Sequence, residues 1–432
     1  ALSSAASDVY KRQNLMMAKL KALTIDNGGS ELRIKPIMDD NRTVAKSVAG
    51  LTQYKSGLPM FSQIEADKEG CDTIIKCPGP FYRINGEGFR VKDVTNKFHI
   101  INVLKAPVDS YLGYFGVGTT AQMYSGAEVE MTSQSNKTAS EEFFQRFVFG
   151  MALGLISDKE FVGIEDEWDN VGEMFEKLNE IYQMVIVTNI PIKEYAGDQD
   201  LPAKTKKRLT GEYAVEFPLL PNKPVLRFVV NESYFGILPE GGVVINSLKK
   251  QIGEKEYTLL VDMGHVSNDL AIFYGTQPYG GYVKSSGQAG STLLTRIQSR
   301  LTDAGFMVNK EIALQALNEG TIPQGKKEID VTDLVRKTKQ DFVTNCIRPD
   351  LIELFNATGV KPAQISNIVP IGASMKSNSN TGYMPSDIKD AVDIKNADIL
   401  EIEGDVRYAN INSAYPYTVA MLRAAIKKEA SN

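Results

Sequence analysis

The chain has 432 residues, 43% of them apolar and 23% charged, with a formal net charge of −5. This is the composition of a globular protein with two or three domain-sized units and a sizeable core, and its mild acidity excludes nucleic-acid binding through an overall basic field. Three cysteines, Cys71, Cys77 and Cys346, lack CxxC spacing, which argues against a disulfide framework or a zinc site and for a reducing cytoplasm; no run approaches the length of a membrane-spanning helix.

Residues 1–16, ALSSAASDVYKRQNLM, are small and polar, then basic, without the apolar centre of a secretory signal. They are expected to be a disordered or non-native leader, with the natural start near Met16 or Met17. The first strand is expected at KALTID. It ends in Asp26, bends at Gly28 and Gly29, passes the hydroxyl of Ser30 and returns along a second strand carrying Arg33. Further on, CPGPFYRINGEGFRVKDVTNKFHI reads as short strands with a hairpin turn near Asn85 and Gly86. SEEFFQRFVFGMALGLI has the dense apolar face of a buried or half-buried helix, and Trp168 in EDEWDNVGEMF reads as helix packing. Lys204, Lys206, Lys207 and Arg208 form a basic cluster, read as a solvated helix face.

The stretch YTLLVDMGHVSNDLAIFYG repeats the first plan: a strand ending in Asp262, a bend at Gly264, the hydroxyl of Ser267, and a second strand. Backbone N–H groups of a glycine turn point at an anion with no side chain in the way. Two such turns facing each other would clamp the phosphates of a nucleotide from both sides. Asp26 and Asp262 are then expected to hold waters of a magnesium ion, which keeps much of its hydration shell. Either hairpin alone reads as plain structure, because Asp and Gly are common in turns; the repetition carries the expectation. After it, GQAGSTLLTRIQSRL places Leu293, Leu294, Ile297 and Leu301 at helical spacing. ISNIVPIGASMK runs an apolar strand into a small-residue turn, Gly372, Ala373 and Ser374, where a base or ribose can lie against backbone.

Phosphate hairpin, second phosphate hairpin and small-residue turn, in that order over residues 23 to 376, resemble the actin-type ATPase fold shared by actin, sugar kinases and heat-shock chaperones. Within that group, VTNIPIKEYAG, KTKKRLTGEYAVEF, LRFVVNESYFGILPEG and NSAYPYTVAMLRAAIK resemble plasmid-segregation actins of the ParM type. The resemblance implies an α/β, two-lobe fold with a duplicated, ribonuclease H-like core and a nucleotide in the interlobe cleft. Lobe I would take residues 17–256 with a small outer subdomain, lobe II residues 257–404, and residues 405–432 a C-terminal helix returning to lobe I.

For the site, the resemblance implies phosphate contacts by Asp26, Asn27, Gly28, Gly29, Ser30, Arg33, Asp262, Gly264, His265 and Ser267. It implies adenosine contacts by Gly372, Ala373, Ser374 and Met375, and Mg2+ held through water by Asp26 and Asp262. Glu232, the Glu of VVNES, is expected to polarise the attacking water. Two departures stand out: DMGH replaces the usual DxGG, so His265 would crowd a phosphate or donate a hydrogen bond to it, and GAS replaces GGG or GGxA. The implied function is a polymerising ATPase, with GTP open beside ATP, whose filaments segregate or position DNA. Its partners would be copies of itself and a DNA-binding adaptor of the ParR type, with neither DNA nor membrane bound directly. The alternative is a monomeric sugar- or acetate-kinase-type phosphotransferase, and a third reading is a nucleotide-binding scaffold with little turnover. In filament-forming relatives the region of the basic cluster makes subunit contacts, the lesser of its two readings here.

Overall fold

The structure, a computed structural model, describes residues 19–28, 31–37, 64–66, 73–78, 81–84, 100–117, 137–156, 181–219, 222–375 and 381–429. The expected leader, the turn near Asn85 and Gly86, and Trp168 lie outside the described residues.

Two sheets organise the chain. The first uses β1 (Lys19–Asn27), β2 (Glu31–Ile37), β3 (Ile64–Ala66), β4 (Thr73–Pro78), β5 (Phe81–Ile84), β6 (Ile100–Lys105), β7 (Gly113–Val117), β8 (Ile181–Ile190), β9 (Gly211–Glu216) and β10 (Val225–Pro239). Their spatial order is β3-β4-β2-β1-β8-β10-β9-β6-β7-β5. The second uses β11 (Tyr257–Met263), β12 (Asn268–Tyr274) and β13 (Gln277–Ser286); β14 (Thr321–Gln324) and β15 (Lys327–Asp330) form a separate hairpin, and β16 (Ile365–Ile371) and β17 (Asp398–Ile399) complete the order β13-β12-β11-β16-β17.

Both sheets contain the same module, a hairpin whose first strand also pairs in parallel with a strand from later in the chain. β1 runs antiparallel to β2 and parallel to β8, as β11 runs antiparallel to β12 and parallel to β16. The register repeats as well. Asp26 faces Arg33 across its hairpin, and Asp262 faces Asp269, in each case the residue seven positions later. The α/β duplication expected from the two quoted hairpins is present in the backbone pairing itself.

A parallel strand covered on both faces should be apolar throughout, and β8 is buried from Tyr182 to Ile190. One face is covered by the helix Glu141–Ile156, whose Phe143, Phe147 and Met151 share a core with Leu23, Ile25 and Ile186. The other is covered by the closing helix Ala409–Glu429, whose Leu422 and Ala425 pack with Ala22 and Val185. Alternation along β1 thus sends successive side chains to different helices. Thr24 confirms the second face through a buried hydroxyl contact of 2.7 Å with Thr418.

In the second sheet, Leu293, Leu294, Ile297 and Leu301 of the helix Gly290–Asp303 pack onto Leu259, Val261, Met263, Leu270 and Ile272. The opposite face presents Leu260, Ala271, Phe273, Val369 and Ile371. These join Val187 of β8, Val243, Val244 and Ile245 of the short helix Gly242–Ser247, and Ala409 and Ala414. That apolar layer lies between the two sheets and binds them into one body. In the basic cluster, Lys204 pairs with Asp198, while Arg208 pairs with Glu141 and lies 3.7 Å from the centre of the Phe144 ring. Among the described residues no helix is long and apolar enough to cross a membrane.

Candidate active site

Open α/β sheets place ligands beyond the carboxyl ends of their parallel strands, and three acidic residues lie at such ends. Asp26 follows Ile25, which pairs with Thr188 of β8. Asp262 pairs with Ile371, one residue before Gly372. Glu240 follows the last residue of β10 and donates its N–H to Ile190 O at the end of β8, at 2.8 Å. Asp269 completes the group from β12, opposite Asp262.

Burial and like charge act together on these groups. Burial, reinforced by the charges of Asp269, Glu240 and Asp26, pushes the Asp262 carboxyl up to about 8. Burial pushes Glu240 up to about 7, against the pull of the Lys137 ammonium and with Asp26 and Asp269 adding to the rise. Asp269 is raised too, chiefly by burial. Lys137 Nζ lies 3.0 Å from Glu240 Oε1, and Arg33 Nη1 lies 3.0 Å from Asp26 Oδ2. Several carboxylates pushed toward neutrality around one point make a site short of positive charge. Among the described residues no three acidic, His or Cys side chains converge closely enough to hold a metal ion directly.

Asn410, near the start of the closing helix, ties the two halves of the site. Its side-chain Nδ2 donates to Asp262 Oδ2 at 3.2 Å, while its Oδ1 accepts the N–H of Gly241, next to Glu240, at 2.7 Å. Around the second hairpin the backbone is drawn in by small residues. Gly264 O accepts from Gly290 N at 3.0 Å and His265 O accepts from Ser291 N at 2.8 Å, seating the turn on the start of the helix Gly290–Asp303. Gly372, at φ +95, lies against Met263 so closely that a Cβ there would stand 2.2 Å from its carbonyl oxygen.

The expected site residues divide. Asp26, Gly28, Asp262, Gly264 and Gly372 lie at or beside these strand ends. Asn27 is fully buried, donates to Phe143 O at 2.9 Å, and leaves its Oδ1 without a partner. Arg33 is drawn onto Asp26 because the hairpin register sets the two directly opposite. Ser267 donates to Asp269 at 3.1 Å, and His265 is half-buried in the turn. Ala373, Ser374 and Met375 form one turn of 3-10 helix, with the Met375 side chain turned into the core of the second sheet. Gly29 and Ser30 lie outside the described residues.

Glu232 is not brought to this cluster. It is exposed, on an irregularity of β10 between Val230, paired with Met184, and Phe235, paired with Ile186. That level is about four residues, roughly 13 Å, short of the strand ends. Sequence reasoning passed over Glu240, Lys137, Asp269 and Asn410. The signal for Glu240 was the Pro-Glu-Gly-Gly run that ends the same strand.

The raised carboxyls make a pH prediction. Groups whose folded pKa is raised stabilise the fold below their unfolded value, and that contribution is lost as pH rises through the folded value. For Asp262 the window runs from about 4 to about 8. In EDTA, Asp262→Asn should therefore melt roughly 4–8 °C above wild type at pH 8.5 and close to it at pH 5. An equal difference at both pH values, by differential scanning calorimetry, would discount the buried charge.

No protein-family profile matches the sequence, and no curated protein does. Solved structures do. The chain is similar to the actin-like protein Alp7A, with TM-score 0.62 and 14% identity over 95% of this chain and 98% of that one. It is similar to Bacillus thuringiensis ParM with ATP, with TM-score 0.58 and 12% identity over 94% of this chain and 100% of the other. It is also similar to a 15-stranded ParM filament from Clostridium botulinum, with TM-score 0.54 and 16% identity over 94% and 100%. Likeness at these identities speaks for the fold alone, and the fold is actin-like across nearly the whole chain.

Proposed function

We propose that this actin-fold chain is a cytoplasmic, nucleotide-dependent ATPase that polymerises, and that its filaments segregate or position DNA through a separate DNA-binding adaptor of the ParR type. One observation carries the reading: two hairpins of identical register end in Asp26 and Asp262, and a third carboxylate, Glu240, stands beside them. The similar structures include a ParM with ATP and a ParM filament, which favours this reading over a monomeric kinase of the same fold.

In this proposal Gly28 after β1 and the turn after β11 would offer backbone N–H groups to the phosphates, and the Gly372 turn would receive the base and ribose of ATP or GTP. Asp26 and Asp262 would hold Mg2+ through its water, and the ion would neutralise charge on the β- and γ-phosphates. Glu240 orients the attacking water and takes its proton. A carboxyl at about 7 is well matched to that task near neutral pH. Glu232, exposed and farther down the strand, is left without a part in the chemistry.

With ATP or GTP and Mg2+, the purified protein should scatter light and pellet above a critical concentration, and electron micrographs should contain filaments. Monomers alone, across nucleotides and salt concentrations, would return the chain to the phosphotransferase alternative.

A further inference from the structure

We propose that Lys137 senses the terminal phosphate: it leaves Glu240 for the γ-phosphate of a bound nucleoside triphosphate, and so releases Glu240 to act on water only when that phosphate is present. The inference rests on the ATPase reading above and adds a residue and a switch to it.

The main chain at Lys137 is held firmly. Lys137 N and Thr138 N donate to the Glu194 carboxylate at 2.5 and 2.9 Å, and the Thr138 hydroxyl donates to it as well. Ser140 Oγ donates to Lys137 O at 2.9 Å and accepts from Phe143 N at 3.2 Å, locking the turn to the start of the helix Glu141–Ile156. Glu194 belongs to the IPIKEY turn that follows β8. That turn thereby fixes where the lysine stem begins.

The side chain is the part that can change partner. Its ammonium meets Glu240 at 3.0 Å, with the two side chains 16% and 14% exposed. Its charge also reaches Asp269, on the opposite sheet. The ammonium thus lies beside the carboxylate at the end of β10 and within electrostatic reach of the second hairpin. An enclosed ion pair of this kind is weak evidence for a stabilising device, since desolvation offsets most of the attraction. A terminal phosphate carries more charge and more acceptor oxygens than a carboxylate and competes well for an ammonium. The flexible four-carbon stem lets the lysine change partner while its main chain stays fixed. A diphosphate ends one group short and would leave the lysine on Glu240.

The test compares wild type, Lys137→Met, and Lys137→Met combined with Glu240→Gln. Affinities for Mg-ADP and for a Mg-bound non-hydrolysable ATP analogue are measured by titration calorimetry, and single-turnover phosphate release is followed for wild type and Lys137→Met. Lys137→Met should lose roughly ten- to a hundredfold in affinity for the analogue, the worth of one hydrogen bond to a charged group, and less than about threefold for ADP. Phosphate release at saturating ATP should fall more than about tenfold. The double variant buries no unpaired carboxylate, so it should regain the wild-type melting temperature and still bind the analogue weakly, which separates recognition from folding. Equal losses for the two nucleotides, or none, would overturn the inference and leave Lys137 a structural partner of Glu240. A wild type that binds neither nucleotide is a different result, and it would overturn the ATPase reading together with this one.

Discussion

Glu240→Gln should release phosphate at roughly a hundredth to a ten-thousandth of the wild-type rate, the range expected when a general base is lost. Glutamine keeps the size of the side chain and an oxygen for Lys137, so binding and assembly should survive while the water loses its proton acceptor. Filaments of the variant should then persist, because hydrolysis would no longer trigger their disassembly. Glu232→Ala, on the exposed irregularity of β10, should stay within about twofold of wild type. Phosphate release measured beside light scattering, on both variants, decides the matter. A slow Glu232 variant with a normal Glu240 variant would reverse the assignment.

Gly372→Ala should destabilise the protein by roughly 3–5 kcal/mol and abolish measurable nucleotide binding. The added Cβ would meet Met263 O at 2.2 Å and Met263 C at 2.6 Å. Both are main-chain atoms of β11, so no side-chain rotation relieves the clash, and the turn after Asp262 must move. Gly281 supplies the control. It has φ +64 with nothing within 4 Å of a Cβ, so Gly281→Ala should show only the penalty for a left-handed alanine, about 1–2 kcal/mol. Similar melting temperatures for the two variants would refute the close-contact argument.

Much of this arrangement was legible in the residues. Asp, glycine and hydroxyl recur in one order in both hairpins, and the small-residue turn of GAS follows an apolar strand; each is a local pattern with a local cause. The helical spacing of Leu293, Leu294, Ile297 and Leu301 identified the face that covers the second sheet. The expectation for Glu232 rests on the likeness of VVNES to the family's motif, with the Glu at the end of a strand. The strand instead continues past an irregularity to Pro239, as pairing with β8 allows and local pattern does not reveal. Lys137 and Asn410 were not legible for a different reason. Each reaches its partner across more than a hundred residues of chain, and such meetings are decided by how sheets and helices pack. Arg33 lies between these cases: its seven-residue distance from Asp26 fits two residues set opposite each other in a hairpin, and the side chain expected to contact phosphate is the ion-pair partner of Asp26.

The apolar layer of Val187, Leu260, Val369, Ile371 and the Val243–Ile245 helix lies against both sheets at the floor of the site. Separating the sheets there would expose a continuous oily surface to water, so the layer holds the Asp26 and Asp262 hairpins to one another. In the proposed reading, a nucleotide gripped from both hairpins would be held in place by the same apolar contacts that join the two sheets.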